Sequence, residues 1–475
     1  MAITDRTPRS RPRTAIVRNA LFDRLDDRIA AGMERYGIPG AAVAVYWDGV
    51  EYVKGYGVTN LDDPTPVDGD TLFRIGSTTK TITGTVVMRL VEQGKLDLDL
   101  PVRTYLPALR TSLESVAQRA TVRHLLNHTA GWLGDLFEDT GGGEDALSRY
   151  VAEIERLPQL TPLGSTFHYN NAAIVLAGHL IEVVTGMPYA QAVHDLLLKP
   201  LGLAHSRFSG QDTDGLTVSA SHRLDQGGPV VDPFVLPHST DPAGGLLSSA
   251  RDQLRYARFH LGDGTAPDGG RLLTQQSLTQ MRANHGRGGT VMVELDGMGV
   301  SWMLRPSAEG VRIVQHGGNV PGEHSGFIMV PERDFALTVL TNSDGGPRLA
   351  SDLVVDDWAL KLFAGVSNLA ASPARLSEPR LAPYTGRYIQ RVVDLKGEFQ
   401  TTVSEIWADE GQLCMTVNSP LGTNEYRLAF YRPDYVLVLD ERGEPDGSRA
   451  DFIRDDEGGI AWLRMHGRLN QHIGE

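Results

Sequence analysis

The chain holds one cysteine, Cys414, among its 475 residues. An intrachain disulfide, a paired-cysteine zinc site and a dithiol redox couple are therefore all excluded. Lysine is nearly as scarce, at six residues: Lys54, Lys80, Lys95, Lys199, Lys361 and Lys396. Nowhere do about 18 apolar residues run together, so a membrane-spanning helix is excluded on length. The first twenty residues carry Arg6, Arg9, Arg11, Arg13 and Arg18 but no apolar stretch like the core of a signal peptide. The expected location is cytoplasmic, with secretion or a periplasmic home requiring that a leader had been removed. Basic side chains are outnumbered 45 to 59, a net charge of −14, which disfavours nucleic acid and anionic membranes as partners. No cofactor is expected. The partner expected is a small-molecule or short-peptide substrate, with a homo-oligomer left open.

What is present reads as a folded protein, since the apolar share of 41% and the charged share of 22% are ordinary for globular chains. The length suggests two or three domains. Leu21, Leu25, Ile29 and Met33 recur at spacings of four and predict an amphipathic helix over Val17 to Arg35. Ala41 to Tyr46 and Val50 to Tyr56 are β-rich runs around Asp48-Gly49, a hairpin signal. Helical character follows from Thr81 to about Val91, ending near Gly94, and again across Thr121 to His128 and Ala172 to Val184 within a long middle portion. Strands return at Val311 to Gln315, Phe327 to Val330 and Phe335 to Leu340, and a helix over Leu349 to Phe363 closes the unit. Strands at both ends of a helical middle imply one sheet built from distant segments.

Residues 368–383 are rich in Ala and Pro and read as a linker. They separate a domain over residues 17–367 from one over 384–475. Beyond the linker, short β-rich runs at Tyr384 to Ile389, Thr401 to Trp407, Leu413 to Val417, Glu425 to Phe430, Tyr435 to Leu439 and Ala461 to Met465 imply an antiparallel barrel or sandwich.

The chemistry centres on Gly76-Ser77-Thr78-Thr79-Lys80, which puts a hydroxyl and an amine on one face at a helix start. Of the six lysines, only Lys80 has a serine three residues before it. Serine becomes a nucleophile when a base takes its proton, and a lysine serves as that base when burial or nearby positive charge lowers its pKa. Two further elements follow in order: Tyr169-Asn170-Asn171 before a helical run, and His316-Gly317-Gly318 at the end of a predicted strand. The pair His124 and His128 has helical spacing but lacks the intervening Glu of a metalloprotease helix, so no metal site is expected and packing or capping explains them better. Gly-x-Ser-x-Gly is absent, against an α/β-hydrolase elbow.

In these three elements, and in Thr121–Gly131 and Pro242–Leu246, the sequence resembles the penicillin-recognising serine hydrolases: class C β-lactamases, DD-peptidases, D-aminopeptidases and family VIII carboxylesterases. The resemblance implies an α/β fold: a β-lactamase-like antiparallel sheet flanked by helices, a helical subdomain, and here a C-terminal antiparallel β-barrel of lipocalin-like type. It implies Ser77 as nucleophile, with Lys80 and the Tyr169 phenolate sharing the proton transfers. Asn171 would bind a substrate amide or orient Lys80, and the backbone N–H groups of Ser77 and Asn319 would form the oxyanion hole beside Gly317 and Gly318. His316 stands where many relatives carry Lys of a Lys-Thr-Gly element. An unperturbed histidine is mostly neutral at pH 7, which favours a peptidase or amidase of D-aminopeptidase type over a β-lactamase. Ester cleavage is the alternative, and a sensor acylated without turnover is the rival from another class.

Overall fold

The computed structural model describes residues 12–208, 210–419, 422–440 and 442–474. The chain opens with helix α1 (Pro12–Tyr36) and the hairpin of β1 (Gly40–Trp47) and β2 (Val50–Gly57). Asp48 and Gly49 both take positive φ, 50° and 75°, the turn geometry that matches strand twist. The sheet is completed far along the chain by β3 (Gly297–Met298), β4 (Met303–Arg305), β5 (Ile313–Val320), β6 (Glu323–Val330) and β7 (Phe335–Thr341), in the order β3-β4-β5-β6-β7-β1-β2, antiparallel throughout. Strands β1 and β7 pair from Ala41↔Thr341 to Trp47↔Phe335.

Strand parity divides the core into two layers. Val43, Val45, Leu337 and Val339 face α1 and the last helices of the unit, while Ala42, Ala44, Ala336 and Leu340 face the helical middle. Both faces are covered, so β1 and β7 are apolar almost without alternation.

Helix α2 (Thr79–Glu92) runs through the centre of the helical layer and is buried nearly all round. Its threonines satisfy themselves against backbone: Thr81 donates to Thr78 O (2.8 Å), Thr85 to Thr81 O (2.8 Å) and Thr83 to Pro242 O (2.7 Å). That all-round burial erases the amphipathic pattern, and the helix begins two residues earlier than the sequence suggested. Helix α3 (Asn171–Thr185) is capped by the Asn170 side chain on Ala173 N–H and ends at Gly186 with φ 69°.

Two expectations are corrected. The predicted strand ending near His316 continues to Val320, because His316, Gly318 and Val320 alternate inward while Gly317 and Asn319 face out. The expected helix over Leu349 to Phe363 is broken at Asp356–Asp357, where Asp357 takes φ 57° and its carboxylate accepts from Asn368 N–H.

The C-terminal portion is a closed barrel of eight antiparallel strands: β8 (Gly386–Val393), β9 (Phe399–Asp409), β10 (Gln412–Ser419), β11 (Gly422–Arg432), β12 (Tyr435–Leu439), β13 (Pro445–Arg454), β14 (Ile460–Met465) and β15 (Arg468–His472). Tyr388↔His472 and Ile389↔Gln471 close it. Tyr388, Ile406, Met415, Leu428, Phe430 and Phe452 fill the interior with side chains. Residues 368–383 are laid over this barrel: Ala374 N–H donates to Phe430 O, Leu376 N–H to Gly411 O, and Leu381 joins the barrel core.

Two barrel turns reach the first unit. The β8–β9 turn runs beside residues 135–139, with Val393 N–H donating to Asp135 O (2.8 Å) and Asp139 N–H to Leu395 O (3.1 Å). Near the β14–β15 turn, the buried pair Arg464–Asp451 (2.6 and 2.9 Å) also holds Phe167 O through Arg464 and Thr290 through Asp451.

Candidate active site

Ser77 sits in a tight turn, Gly76–Thr78, that leads directly into α2. Gly76 takes φ +49°, and a Cβ there would lie 2.9 Å from Asn319 N, so the left-handed residue and the close approach both require glycine. Across the gap, a Cβ on Gly318 would fall 1.9 Å from Ile75 O and 2.7 Å from Ser77 N. The Ser77 turn and β5 therefore abut at Gly318, bringing the backbone of Ser77 and Asn319 to one place.

One helical turn on, Lys80 is fully buried. Its Nζ lies 2.8 Å from Ser77 Oγ and donates to Ala243 O at 2.6 Å. Burial pushes the Lys80 pKa well down and the charge of Arg468 adds to this, opposed by Asp135. The neutral amine is thereby favoured, with one N–H spent on Ala243 and a lone pair available to the serine hydroxyl.

Tyr169 completes the cluster. Its ring centroid lies 5.0 Å from Lys80 Nζ, and its phenol faces the Ser77 side chain. Burial raises the Tyr169 pKa to about 12, the upward push exceeding the pull of Arg468 and of Ser77. That burial favours the neutral phenol, and two neutral histidines lie against the ring. His128, held at φ 58°, stacks on Tyr169 at 4.7 Å and accepts Asn170 N–H through Nδ1. His316 lies 6.2 Å away, and burial with the nearby Lys80 drops its pKa to about 3. His316 Nδ1 contacts Gly317 O at 2.7 Å. A carbonyl only accepts, so Nδ1 carries the hydrogen and Nε2 a lone pair.

A cation reaches Tyr169 from the barrel. Met465–Arg468 form the β14–β15 turn, with His466 and Gly467 both at positive φ, 50° and 78°. Gly467 O accepts Tyr169 N–H at 2.9 Å, and a Cβ on Gly467 would meet Tyr169 Cβ at 3.2 Å. The Arg468 guanidinium lies 4.6 Å from the Tyr169 ring centroid and donates to both oxygens of Asp135, at 3.0 and 3.3 Å. Burial alone would push the Asp135 carboxyl up, but Arg468, His168 and Asn171 outweigh it and hold it below the usual carboxylate range.

Of the residues expected from sequence, Ser77, Lys80, Tyr169, His316, Gly317, Gly318 and Asn319 converge. Asn171 points its amide at Asp135 (2.7 Å) and, among the described residues, makes no hydrogen bond to Lys80. His124 caps its own helix against Thr121. Asp135 and Arg468 were missed, whereas His128 packs, as expected, here against Tyr169. Asp135 and Arg468 lie in no motif, and nothing local in Met465–Arg468 says where that turn will dock.

A family model described as Beta-lactamase matches residues 25–357. The chain belongs to the beta-lactamase family. Penicillin-binding protein 4 of Amycolatopsis lactamdurans is 34% identical over 370 residues, covering 76% of this chain and 96% of that protein. The crystal structure of SurE superposes with a TM-score of 0.76 at 27% identity, over 96% of this chain and all of that one. SurE solved with D-Leu gives 0.73 at 28%. A class C beta lactamase from Rhodobacter sphaeroides covers 69% of this chain and 97% of its own, with a TM-score of 0.56 at 27% identity. The SurE likeness thus extends over the barrel.

Proposed function

We propose that this protein is a serine hydrolase of the family that cleaves amide or peptide bonds of small substrates through an acyl-enzyme on Ser77, the acyl group carrying a D-configured residue. The observation that carries the reading is the buried Lys80 amine, 2.8 Å from Ser77 Oγ and biased to its neutral form. In acylation, Ser77 Oγ attacks the carbonyl carbon and its proton passes to Lys80. The carbonyl oxygen takes up charge facing the Ser77 and Asn319 N–H groups. The C–N bond then breaks as Tyr169, a phenol, gives its proton to the leaving nitrogen and is reprotonated from Lys80. In deacylation a water replaces the amine and the transfers run in reverse.

The D-configured acyl group is supported by the SurE structure solved with D-Leu, a protein similar over both parts of this chain. The neutral His316 supplies no cation for a substrate carboxylate at β5, which supports amides over penicillins. The test is a turnover screen of D- and L-amino-acid amides, short peptides, p-nitrophenyl esters and a cephalosporin, with wild type and Ser77→Ala. Release of amine from D-amides by wild type alone is expected. Turnover of esters with none of D-amides would replace this reading with an esterase, and full activity of Ser77→Ala would refute the acyl-enzyme.

A further inference from the structure

A buried carboxylate behind the oxyanion strand has no part in the steps above. Glu323 opens β6 directly opposite Val320 of β5 and is almost wholly inaccessible. It accepts from Arg74 Nη1 at 2.8 Å, from the Arg74 backbone N–H at 3.3 Å and from Ser221 Oγ at 3.3 Å. Arg74 stands three residues before Ser77, and Glu323 four after Asn319. Two residues beyond Glu323, Ser325 Oγ donates to Ile75 O (2.7 Å) and meets Thr78 Oγ1 (2.9 Å). The β5–β6 hairpin is thus stitched to the strand and turn that carry Ser77 on both sides of that residue.

We infer that Glu323, acting through Arg74, is a positioning residue that sets the separation of the Ser77 and Asn319 N–H groups. The inference rests on the acyl-enzyme reading above. Both donors lie on backbone with little freedom to adjust independently: Gly76 is left-handed, and Gly318 is in van der Waals contact with the Ser77 turn. A shift of β5 along that contact would therefore open the site for the oxyanion. The ionised carboxylate holds both the guanidinium and the N–H of Arg74, and a neutral amide cannot reproduce the ion pair.

The other polar groups near this carboxylate do not take its place. Asp344 accepts Gly322 N–H (2.8 Å), His222 is occupied by Asn342 O and Leu61 N–H, and burial keeps His324 neutral, with its pKa lowered to about 4. Burial raises the Glu323 pKa to about 7 against the pull of Arg74 and Ser221. Because the ionised form is the one that clamps, kcat rises with pH through that value.

The test uses the full chain and a fluorophosphonate probe, with which Ser77 Oγ displaces fluoride at phosphorus and builds negative charge facing the same two donors. Glu323→Gln is expected to slow labelling and kcat by about ten- to a hundredfold, to leave KM within about twofold, and to remove the limb near pH 7. Arg74→Lys, which keeps a cation, is expected to recover most of the rate. Should Glu323→Gln give no soluble protein, Arg74→Gln asks the same question from the more exposed partner and is expected to give the same loss of kcat. Labelling of Glu323→Gln at the wild-type rate, or a parallel loss of kcat, KM and thermal stability, would overturn the positioning role. Absence of labelling at Ser77 in wild type would instead overturn the acyl-enzyme reading, and this inference with it.

Discussion

His316 and Arg468 approach Tyr169 from separate parts of the molecule, one on a strand of the family's sheet and the other on a barrel turn. His316 is sealed in, and its pKa falls to about 3. Arg468 keeps 26% of its side chain exposed and is paired with Asp135, which outweighs its burial and holds its pKa above the ordinary arginine value. The strand, where relatives with Lys-Thr-Gly offer an ammonium, here offers a neutral ring. The positive charge comes instead from a part of the chain that lies outside the matched beta-lactamase region.

Lys80 is coupled electrostatically to both groups and gives the largest expected effect. Lys80→Met should slow Ser77 acylation about a thousandfold, measured as the burst with a p-nitrophenyl ester. A variant still acylating at near the wild-type rate would leave the contrast with nothing to act on. Next comes the anchor of the turn itself. Asp451→Ala leaves buried Arg464 unpaired and should cost about 3–5 kcal/mol, read as a lower denaturant midpoint, with turnover lost ahead of global unfolding if the turn detaches first.

The contrast itself is tested by comparing the two neighbours. In the proposed acyl-enzyme mechanism neutral Lys80 is the base, so activity should rise with pH through the Lys80 pKa. The Arg468 cation helps to depress that pKa. Arg468→Met should therefore move the limb of kcat/KM to higher pH. His316→Asn removes a group uncharged above about pH 4 and should leave the limb where it is. If His316→Asn moves it and Arg468→Met does not, the assignment of charge is reversed. The smallest effect belongs to Gly467→Ala: a left-handed alanine costs about 1–2 kcal/mol, and the added methyl presses on Tyr169. A drop of a few degrees in melting temperature with a several-fold loss of kcat is expected.

The parts legible from sequence were those carried by local pattern. The α1 stripe, the Asp48-Gly49 hairpin, the Gly186 stop and the Ser77–Lys80 spacing each depend on neighbours in the chain, and each stands in the structure. The bounds of α2 were blurred because a helix buried on all sides has no polar face to mark its period. Two barrel strands escaped notice for related reasons. β13 starts with Pro445-Asp446-Gly447-Ser448, which is turn chemistry, and β15 is polar and only five residues long. Asp135 and Arg468 were unreadable in principle. Their meaning lies in meeting each other across more than three hundred residues of chain, which no local rule encodes.

That meeting also orders events in time. A ribosome delivers Ser77, Lys80, Tyr169 and β7 well before β15, at roughly 5–20 residues per second. Pairing of such distant segments is slow in itself. Through that interval the growing chain can assemble its nucleophile and amine, yet Tyr169 lacks the arginine beside its ring and the Gly467 carbonyl on its N–H. The two contacts that the barrel makes to Tyr169, from Arg468 and Gly467, are thus the last parts of this site to be delivered.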